Sequence, residues 1–256
     1  MAFLIGIAIG SFLGVVIDRA KSQEPRAKLP LGRSRCDSCK KQLKWRENIP
    51  LISFVFLKGK CRNCRSPIPY WLPLIELVAG FAGIWIAHWA IQTITVITFI
   101  TIIKIIAAAL IAAALIWVFF SDLVYGVIPD LAVGIGAIGV IIMSLMGHMS
   151  LMSLMAQLGA AIAAAGFFLF LVLITRGRGM GTGDVTLAGL LGLWLGWPNI
   201  LLAVWLAFIL GSLIGLVLIG LKLKKFGQTI PFGPFLITGA VISTIAGPKL
   251  LSIIGL

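Results

Sequence analysis

The stretch LAVGIGAIGVIIMSLMGHMSLMSLMAQLGAAIAAAGFFLFLVLIT, residues 131–175, contains no Asp, Glu, Lys or Arg. A transmembrane helix needs about 20 consecutive apolar residues, so this stretch has room for two membrane-spanning helices. Stretches of the same kind cover residues 1–17, 77–103, 105–121, 185–221 and 226–248. The stretch 185–221 also has room for two helices and each of the others for one. The pattern therefore predicts about eight transmembrane helices.

The composition excludes a soluble domain. Hydrophobic residues make up 60% of the chain and charged residues 11%, whereas soluble domains are about half apolar and about a quarter charged. Helices are the only open-chain structure that satisfies backbone groups in lipid, and no alternating barrel strands are evident. We therefore expect an all-α polytopic membrane protein, embedded in the lipid bilayer.

The distribution of positive charge predicts the topology. The formal net charge is +13, and most Lys and Arg residues lie between Arg19 and Arg65. Short basic loops stay in the cytoplasm by the positive-inside rule, and contact with anionic lipid explains such a tract without nucleic acid. We expect a first transmembrane helix at 1–17, a cytoplasmic loop at 18–72 and a transmembrane bundle at 73–256. Smaller basic loops at 176–178 and 222–225 fall on the same side.

The four cysteines lie in the cytoplasmic loop as two C-x2-C pairs: Cys36 with Cys39, and Cys61 with Cys64. This spacing is typical of a tetrahedral thiolate zinc site, and disulfides are rare in the reducing cytoplasm. A redox pair or free thiols are the alternatives. We also expect neighbouring Lys and Arg residues to lower the thiol pKa values. Because four sulfurs fill the coordination of zinc, the metal is predicted to hold the loop together without taking part in chemistry.

The eight acidic residues include two that ordinary helix chemistry does not jointly explain. Asp122 follows an apolar run, at a helix C-terminus where the helix dipole disfavours a carboxylate. Asp184 begins a later span at the same membrane face, where it could also be an N-cap. If they meet in a poorly solvated cleft, they share a proton and can act as general base and acid on a peptide bond. Asp130 is expected to be an N-cap, and Glu76 to lie at a helix N-terminus.

Glycines flank these features. Gly6, Gly10 and Gly14 recur every four residues in the first helix, a spacing that favours close helix packing. Gly181 and Gly183 precede Asp184, where they could let the backbone approach an extended peptide. A merely flexible loop is the alternative for this second group.

Five segments carry a resemblance to a known family. They are GSFLGVVIDR at 10–19, SRCDSCKKQLKWRENIPLISFVFLKGKCRNCRSPIPYWLPLIE at 34–76, SDLVYGVIPD at 121–130, GMGTGDVTLAGLLGLWLGW at 179–197 and IPFGPFLITGA at 230–240. Together they resemble the type IV prepilin peptidases, membrane aspartyl proteases of the GxGD class. The resemblance covers nearly the whole chain.

The resemblance implies a reaction and a location. Asp122 and Asp184 would be the catalytic pair, with Asp130 as an accompanying acid. The implied substrates are type IV prepilins and pseudopilins, cut after the glycine that ends their leader, at the cytoplasmic face of the bacterial inner membrane. Relatives with the cysteine loop typically also methylate the new N-terminus with S-adenosylmethionine, and Glu47 and Asn48 lie in the stretch implicated in that activity.

Two departures and one rival reading stay open. The opening signature of the family usually has Asn where Gly14 stands and Tyr where Asp18 stands, so a peptidase without methyltransferase activity is an alternative. A multi-pass transporter with a zinc-held regulatory loop is a second one. Transporter sites usually lie near the bilayer midplane, however, whereas the two acids are predicted at one edge.

Overall fold

A computed structural model describes residues 1–21, 34–36, 38–93, 99–147, 151–177, 179–225 and 228–254. Within these ranges the regular structure is helical, with two isolated β-bridges and no strands. The elements are α1 (Ala2–Lys21), a 3-10 helix (Trp45–Asn48), α2 (Ile52–Phe56), α3 (Trp71–Thr93), α4 (Phe99–Tyr125), α5 (Asp130–Met146), α6 (Leu151–Thr175), α7 (Thr182–Leu195), α8 (Asn199–Gly220) and α9 (Gly233–Ile254).

The prediction of an all-helical membrane protein is confirmed. Five helices in the described ranges are long and apolar enough to cross a membrane: α1, α3, α4, α6 and α8. Three further apolar helices are shorter, namely α5, α7 and the Gly233–Gly247 portion of α9. The chain thus has several helices suited to a bilayer, and their lengths are uneven.

One helix continues through a charged residue that lies between two apolar stretches. The charge at Lys104 divides two apolar stretches in the sequence, but α4 runs from Phe99 to Tyr125 through this residue. Lysine is a good helix former and its long stem can lie along an apolar surface, so one lysine does not end a helix. The preceding helix, α3, ends at Thr93. Charge-free stretches therefore locate apolar segments without marking where each helix ends.

The chain divides into two compact units, residues 1–105 and 106–256. In the first unit α1 packs against α3. A Cβ atom at Gly10 would lie 2.8 Å from the Cα atom of Glu76 on α3, and one at Gly6 would overlap the carbonyl oxygen of Ala79. The predicted packing role of these glycines is confirmed, because side chains there would push the two helices apart.

The second unit is organised around α7. This 14-residue helix packs against α5, α6, α8 and α9. Leu187 and Leu191 on it are fully buried. Gly192 brings α7 close to α6, because a Cβ atom there would lie 2.7 Å from the carbonyl oxygen of Ala160. The N-terminus of this enclosed helix carries Asp184.

Candidate active site

Asp122 lies in the last turn of α4, with only 6% of its surface exposed. Its Oδ2 atom accepts a hydrogen bond of 2.9 Å from the backbone N–H of Gly233, the first residue of α9. A Cβ atom at position 233 would lie 2.7 Å from the same oxygen. Glycine fits this close contact without adjustment, whereas a larger residue would displace the carboxylate or the start of α9.

Asp184 lies in the first turn of α7, with 7% of its surface exposed. Its Oδ2 atom accepts a hydrogen bond of 3.0 Å from the backbone N–H of Gly181, which is the N-cap residue of the helix. The reading of Asp184 itself as the N-cap is wrong, but its carboxylate does satisfy one of the free donors at the helix start. A capping contact thus uses one oxygen of Asp184.

The two carboxyl groups line one cavity of about 370 Å³, which we call the aspartate cavity. They are close enough to interact electrostatically. The wall of the aspartate cavity also includes Gly126, Gly179, Met180, Ile230 and Phe232. Each acid has its Oδ2 atom on a glycine N–H, and neither shows a further hydrogen bond to the described residues. The structure therefore brings together the two acids that the sequence singled out, each with an oxygen left for a substrate or a water molecule.

Gly181 and Gly183 have different surroundings. Gly181 supplies the N–H that binds Asp184. Gly183 faces the segment between α4 and α5, where a Cβ atom would lie 2.8 Å from the Cβ atom of Ile128. Gly183 therefore brings α7 close to that segment, which also lines the aspartate cavity.

Asp130 lies outside the residues that line the aspartate cavity. It is the first residue of α5, and the N-cap is Pro129, with no side-chain capping bond. The prediction that Asp130 is the N-cap is therefore wrong by one position. Its charge in the first turn still interacts favourably with the helix dipole.

The two cysteine pairs form equivalent knuckles in the first unit. In the first knuckle the N–H of Cys36 donates to the carbonyl of Lys41, and the N–H of Lys40 donates to the carbonyl of Cys36. The second repeats this pattern with Cys61, Ser66 and Arg65. The fourth residue after the first cysteine has a positive φ in both knuckles, 55° at Lys40 and 57° at Arg65. Two turns of the same geometry thus present their thiols to a common point.

The thiol positions fit a tetrahedral metal ion. All four Sγ atoms lie within 4.8 Å of one another, and those of Cys36 and Cys64 are 3.7 Å apart. Four ligands at about 2.3 Å from zinc in a tetrahedron are about 3.8 Å from each other. The spacing therefore matches a zinc site made of four cysteine thiolates, and these four residues could hold the metal.

Hydrogen bonds lower the pKa of two thiols, Cys36 and Cys64, whereas burial and the neighbouring Cys36 thiol raise the pKa of Cys39 to about 11. The backbone N–H of Cys39 is the main cause that lowers the pKa of Cys36 to about 6. The hydroxyl and backbone N–H of Ser66 lower the pKa of Cys64. The expectation that Lys and Arg side chains do this is therefore wrong. N–H groups aimed at sulfur favour the thiolate form, which is the form that binds metal.

Glu47 and Asn48 lie at the end of the 3-10 helix, on the wall of a second cavity of about 810 Å³ that we call the loop cavity. Glu47 is engaged in structure: its Oε2 atom accepts the N–H of Lys44 at 2.9 Å, and its Oε1 atom lies 3.7 Å from Arg62. Asn48 is exposed on the cavity wall. Gly14 and Asp18 line the same cavity. The two departures from the family signature and the proposed methyl-transfer segment therefore meet in one place.

The chain matches two protein-family models. Residues 4–90 match the model of the bacterial peptidase A24 N-terminal domain, and residues 109–216 match that of the type IV leader peptidase family. The chain is 30% identical to a prepilin leader peptidase/N-methyltransferase of Stutzerimonas stutzeri, over 97% of this chain and 91% of that protein. The chain belongs to the type IV leader peptidase family.

Two further relatives match over a similar share of the chain. A protein of this name from Burkholderia pseudomallei strain 1026b is 31% identical over 99% of the chain and 87% of its own length. Another from Pseudomonas aeruginosa is 29% identical over 96% of the chain and 90% of its own length. No solved structure matches the chain. Membership of the type IV leader peptidase family thus extends over both units.

Two residues at these sites make contacts that the sequence does not predict. Gly233 lies in the closing motif of the type IV leader peptidase family, but nothing in that motif indicates that its N–H reaches Asp122. Glu76 was expected at a helix N-terminus, yet it lies in the second turn of α3, since the helix begins at Trp71. The sequence signal for Gly233 was a glycine next to a proline. The signal for Glu76 was an acid next to an apolar run.

Proposed function

We propose that this protein is a membrane aspartyl endopeptidase that removes the leader peptide of type IV prepilins and pseudopilins and then methylates the new N-terminus. Family membership supports the reaction class. The observation that carries the peptidase assignment is the meeting of Asp122 and Asp184 in the aspartate cavity. Both acids are buried there, and each is oriented by the N–H of a glycine.

The proposed cleavage uses the two acids as a pair that shares one proton. Two carboxyl groups in a poorly solvated cleft do not both ionise readily, so one is a carboxylate and the other a carboxylic acid. The carboxylate takes a proton from water as the water attacks the scissile carbonyl, while the acid donates a hydrogen bond to the carbonyl oxygen. The pair then protonates the leaving amine. The glycine N–H groups hold both side chains in place throughout.

We place methyl transfer in the loop cavity of the first unit, because Asn48 and the loop organised by Glu47 line it. S-adenosylmethionine, when bound, supplies an electrophilic methyl group. The residues that line the loop cavity would hold this methyl donor, which would supply the methyl group for the free amine of the new N-terminus. Cavities of about 300–1,000 Å³ are typical of small-molecule sites, and this one is within that range. Because Gly14 and Asp18 line it, loss of methylation alone is the alternative.

Residues 18–72 are proposed to form a cytoplasmic loop stapled by zinc on Cys36, Cys39, Cys61 and Cys64. Four thiolates leave no open position on the metal, so its contribution is to folding. A segment this short buries little apolar surface and depends on such a staple. The fit of the thiol spacing to a tetrahedron supports this assignment.

The proposed topology has about eight transmembrane helices, a first one at 1–17 and the peptidase bundle at 73–256. We propose that the aspartate cavity opens at the cytoplasmic face of the bacterial inner membrane, and the positive-inside rule applied to the basic loops supports this orientation. The described residues contain eight apolar helices, although three of them are short. Uneven lengths are accommodated by tilt or by local thinning of the bilayer.

Incubation of the purified protein with a membrane-embedded prepilin and S-adenosylmethionine tests both reactions. Intact-mass analysis should show the pilin shortened by its leader and then carrying one added methyl group. A shortened but unmethylated product would support the peptidase alone. An unprocessed prepilin would contradict the proposed function.

A further inference from the structure

Glu76 connects the membrane helices of the first unit to the loop that lines the loop cavity. It lies in the second turn of α3, and the first turn contains no acid. The favourable interaction with the helix dipole is strongest in the first turn, so it does not explain the position of Glu76. Its Oε2 atom accepts the backbone N–H of Leu51 at 2.7 Å. The same carboxylate accepts a hydrogen bond from the hydroxyl of Ser11 on α1. One side chain thus joins α3, α1 and the loop.

The residue bound by Glu76 has an unusual backbone. Leu51 has φ 60° and ψ −49°, and the N–H of Ile52 donates to the carbonyl of Pro50 at 2.6 Å. This is a three-residue γ-turn of the positive-φ type, which is rare and strained for a residue with a side chain. Strained backbone of this kind persists only where the surroundings hold it. The hydrogen bond to Glu76 supplies such a restraint at the strained residue itself.

The turn separates two groups of residues that line the loop cavity. Glu47 and Asn48 precede it, and Ser53, Phe54 and Leu57 follow it. A change of backbone angle at Leu51 would therefore move the two groups relative to each other. Glu76 and Ser11 lie on the same wall. The geometry of this wall depends on how firmly the turn is held.

We propose that Glu76 is a positioning residue for methyl transfer, whose carboxylate holds the turn at Leu51 and so fixes Asn48 in the wall of the loop cavity. This inference rests on the proposed methyltransferase activity of that cavity. Glu76 acts through the turn, by accepting two hydrogen bonds. An uncharged side chain of the same shape, with an oxygen in the same place, should therefore serve nearly as well.

The test compares Glu76→Ala with Glu76→Gln in the full-length protein. Glutamine keeps an oxygen acceptor for the N–H of Leu51, whereas alanine removes it. Glu76→Ala should lower kcat/KM for methylation of cleaved pilin by about tenfold or more, the size expected for losing a hydrogen bond to a charged group. Glu76→Gln should stay within about threefold of the wild-type rate by the same reasoning. Gln92→Ala, exposed near the other end of α3, is the matched control.

Hydrogen exchange measured by mass spectrometry provides a readout independent of turnover. Amides in residues 49–57 should exchange faster in Glu76→Ala than in the wild type, and at nearly the wild-type rate in Glu76→Gln. Prepilin cleavage and zinc content should be unchanged in both variants. A general loss of fold would instead lower cleavage and zinc content together with methylation, which would contradict the proposal.

Two other outcomes also overturn the inference. Equal loss of methylation in both variants would mean that the charge of Glu76 acts directly. Wild-type exchange in Glu76→Ala would mean that the turn needs no anchor. A wild-type protein that never methylates cleaved pilin would contradict the proposed methyltransferase, and the exchange experiment would then decide separately whether Glu76 holds the turn.

Discussion

The carboxyl groups of Asp122 and Asp184 belong to different helices, but each has its Oδ2 atom bound to a glycine N–H. Such bonds fix the direction of a side chain without adding a competing polar side chain to the cavity. A catalytic group must be held within a fraction of an ångström of its productive position. At the scale of single residues, the geometry therefore depends on the glycines as much as on the acids.

Replacement of Gly233 by alanine should impair cleavage. The added Cβ atom would lie 2.7 Å from the carboxylate oxygen of Asp122, so the acid or the start of α9 must shift. A displacement of about 1 Å at a reacting group costs about 100-fold in rate. Cleavage kinetics on a purified prepilin measure this loss, which should appear mainly in kcat.

Gly134→Ala is the matched control, since nothing lies within 4 Å of a Cβ atom at that position on α5. It should cleave at the wild-type rate. Wild-type cleavage by Gly233→Ala would show that the contact with Asp122 has no part in catalysis.

At the scale of helices, α1 and α3 approach closely because Gly6 and Gly10 lack side chains. Both residues lie on one face of α1, four positions apart, as expected for a small-residue interface between membrane helices. Glu76 comes from α3 into this interface, and its Cα atom lies opposite Gly10. The packing of these helices therefore also determines where Glu76 reaches the loop.

Gly10→Ala should destabilise the α1–α3 pair. Its Cβ atom would meet backbone atoms of Glu76 and Ile75 at 2.8 and 2.9 Å, which can move only with the helix. Overpacking of this kind costs about 1–3 kcal/mol. Thermal unfolding in detergent measures the loss of stability.

Gly159→Ala on α6 has nothing within 4 Å of the added atom and should not lower the transition temperature. An unchanged transition temperature in Gly10→Ala as well would contradict the interpretation of this interface.

The zinc assignment predicts about one zinc ion per chain. Cys61→Ser should remove it and loosen the loop, because three thiolates and a hydroxyl bind zinc far less well than four thiolates. Elemental analysis of protein prepared without chelators measures the metal, and hydrogen exchange measures the loop. Zinc-free wild-type protein with an intact loop would exclude a structural metal.

Some features of this molecule can be predicted from its sequence and others cannot. The all-helical membrane fold follows from apolar stretches, and the cysteine cluster from spacing, since both are local properties of the chain. The meeting of Asp122 and Asp184 was inferred from their expected depth at one membrane face. The bonds from Gly233 to Asp122 and from Leu51 to Glu76 join distant segments, and no local pattern predicts such pairings. Lys104 lies between two charge-free stretches but within α4, because a single lysine does not end a helix.

At the scale of the whole molecule, the two reactions are assigned to separate compact units. The aspartate cavity is lined by residues of 106–256, and the loop cavity by residues of 1–105. The order of reactions follows from chemistry, because methylation needs the amine that cleavage releases. Loss of the reaction in one unit should therefore leave the reaction in the other unit active.

S-adenosylhomocysteine, the demethylated form of the methyl donor, should inhibit methylation and leave cleavage unchanged. It should compete with S-adenosylmethionine for the loop cavity and have no site among the residues that line the aspartate cavity. Intact-mass time courses of both products measure the two rates in one experiment. Equal inhibition of both rates would contradict separate sites.

The most direct test of the central claim is the cleavage rate of a membrane-embedded prepilin by Asp122→Asn and by Asp184→Asn, each measured alone. Asparagine keeps the shape of the side chain and an oxygen for the glycine N–H, but it cannot take or give the proton. We predict that each variant folds, keeps its zinc and loses at least about 1,000-fold in kcat, as members of a cooperating catalytic group do. Leader removal at a near wild-type rate by either variant would contradict the account.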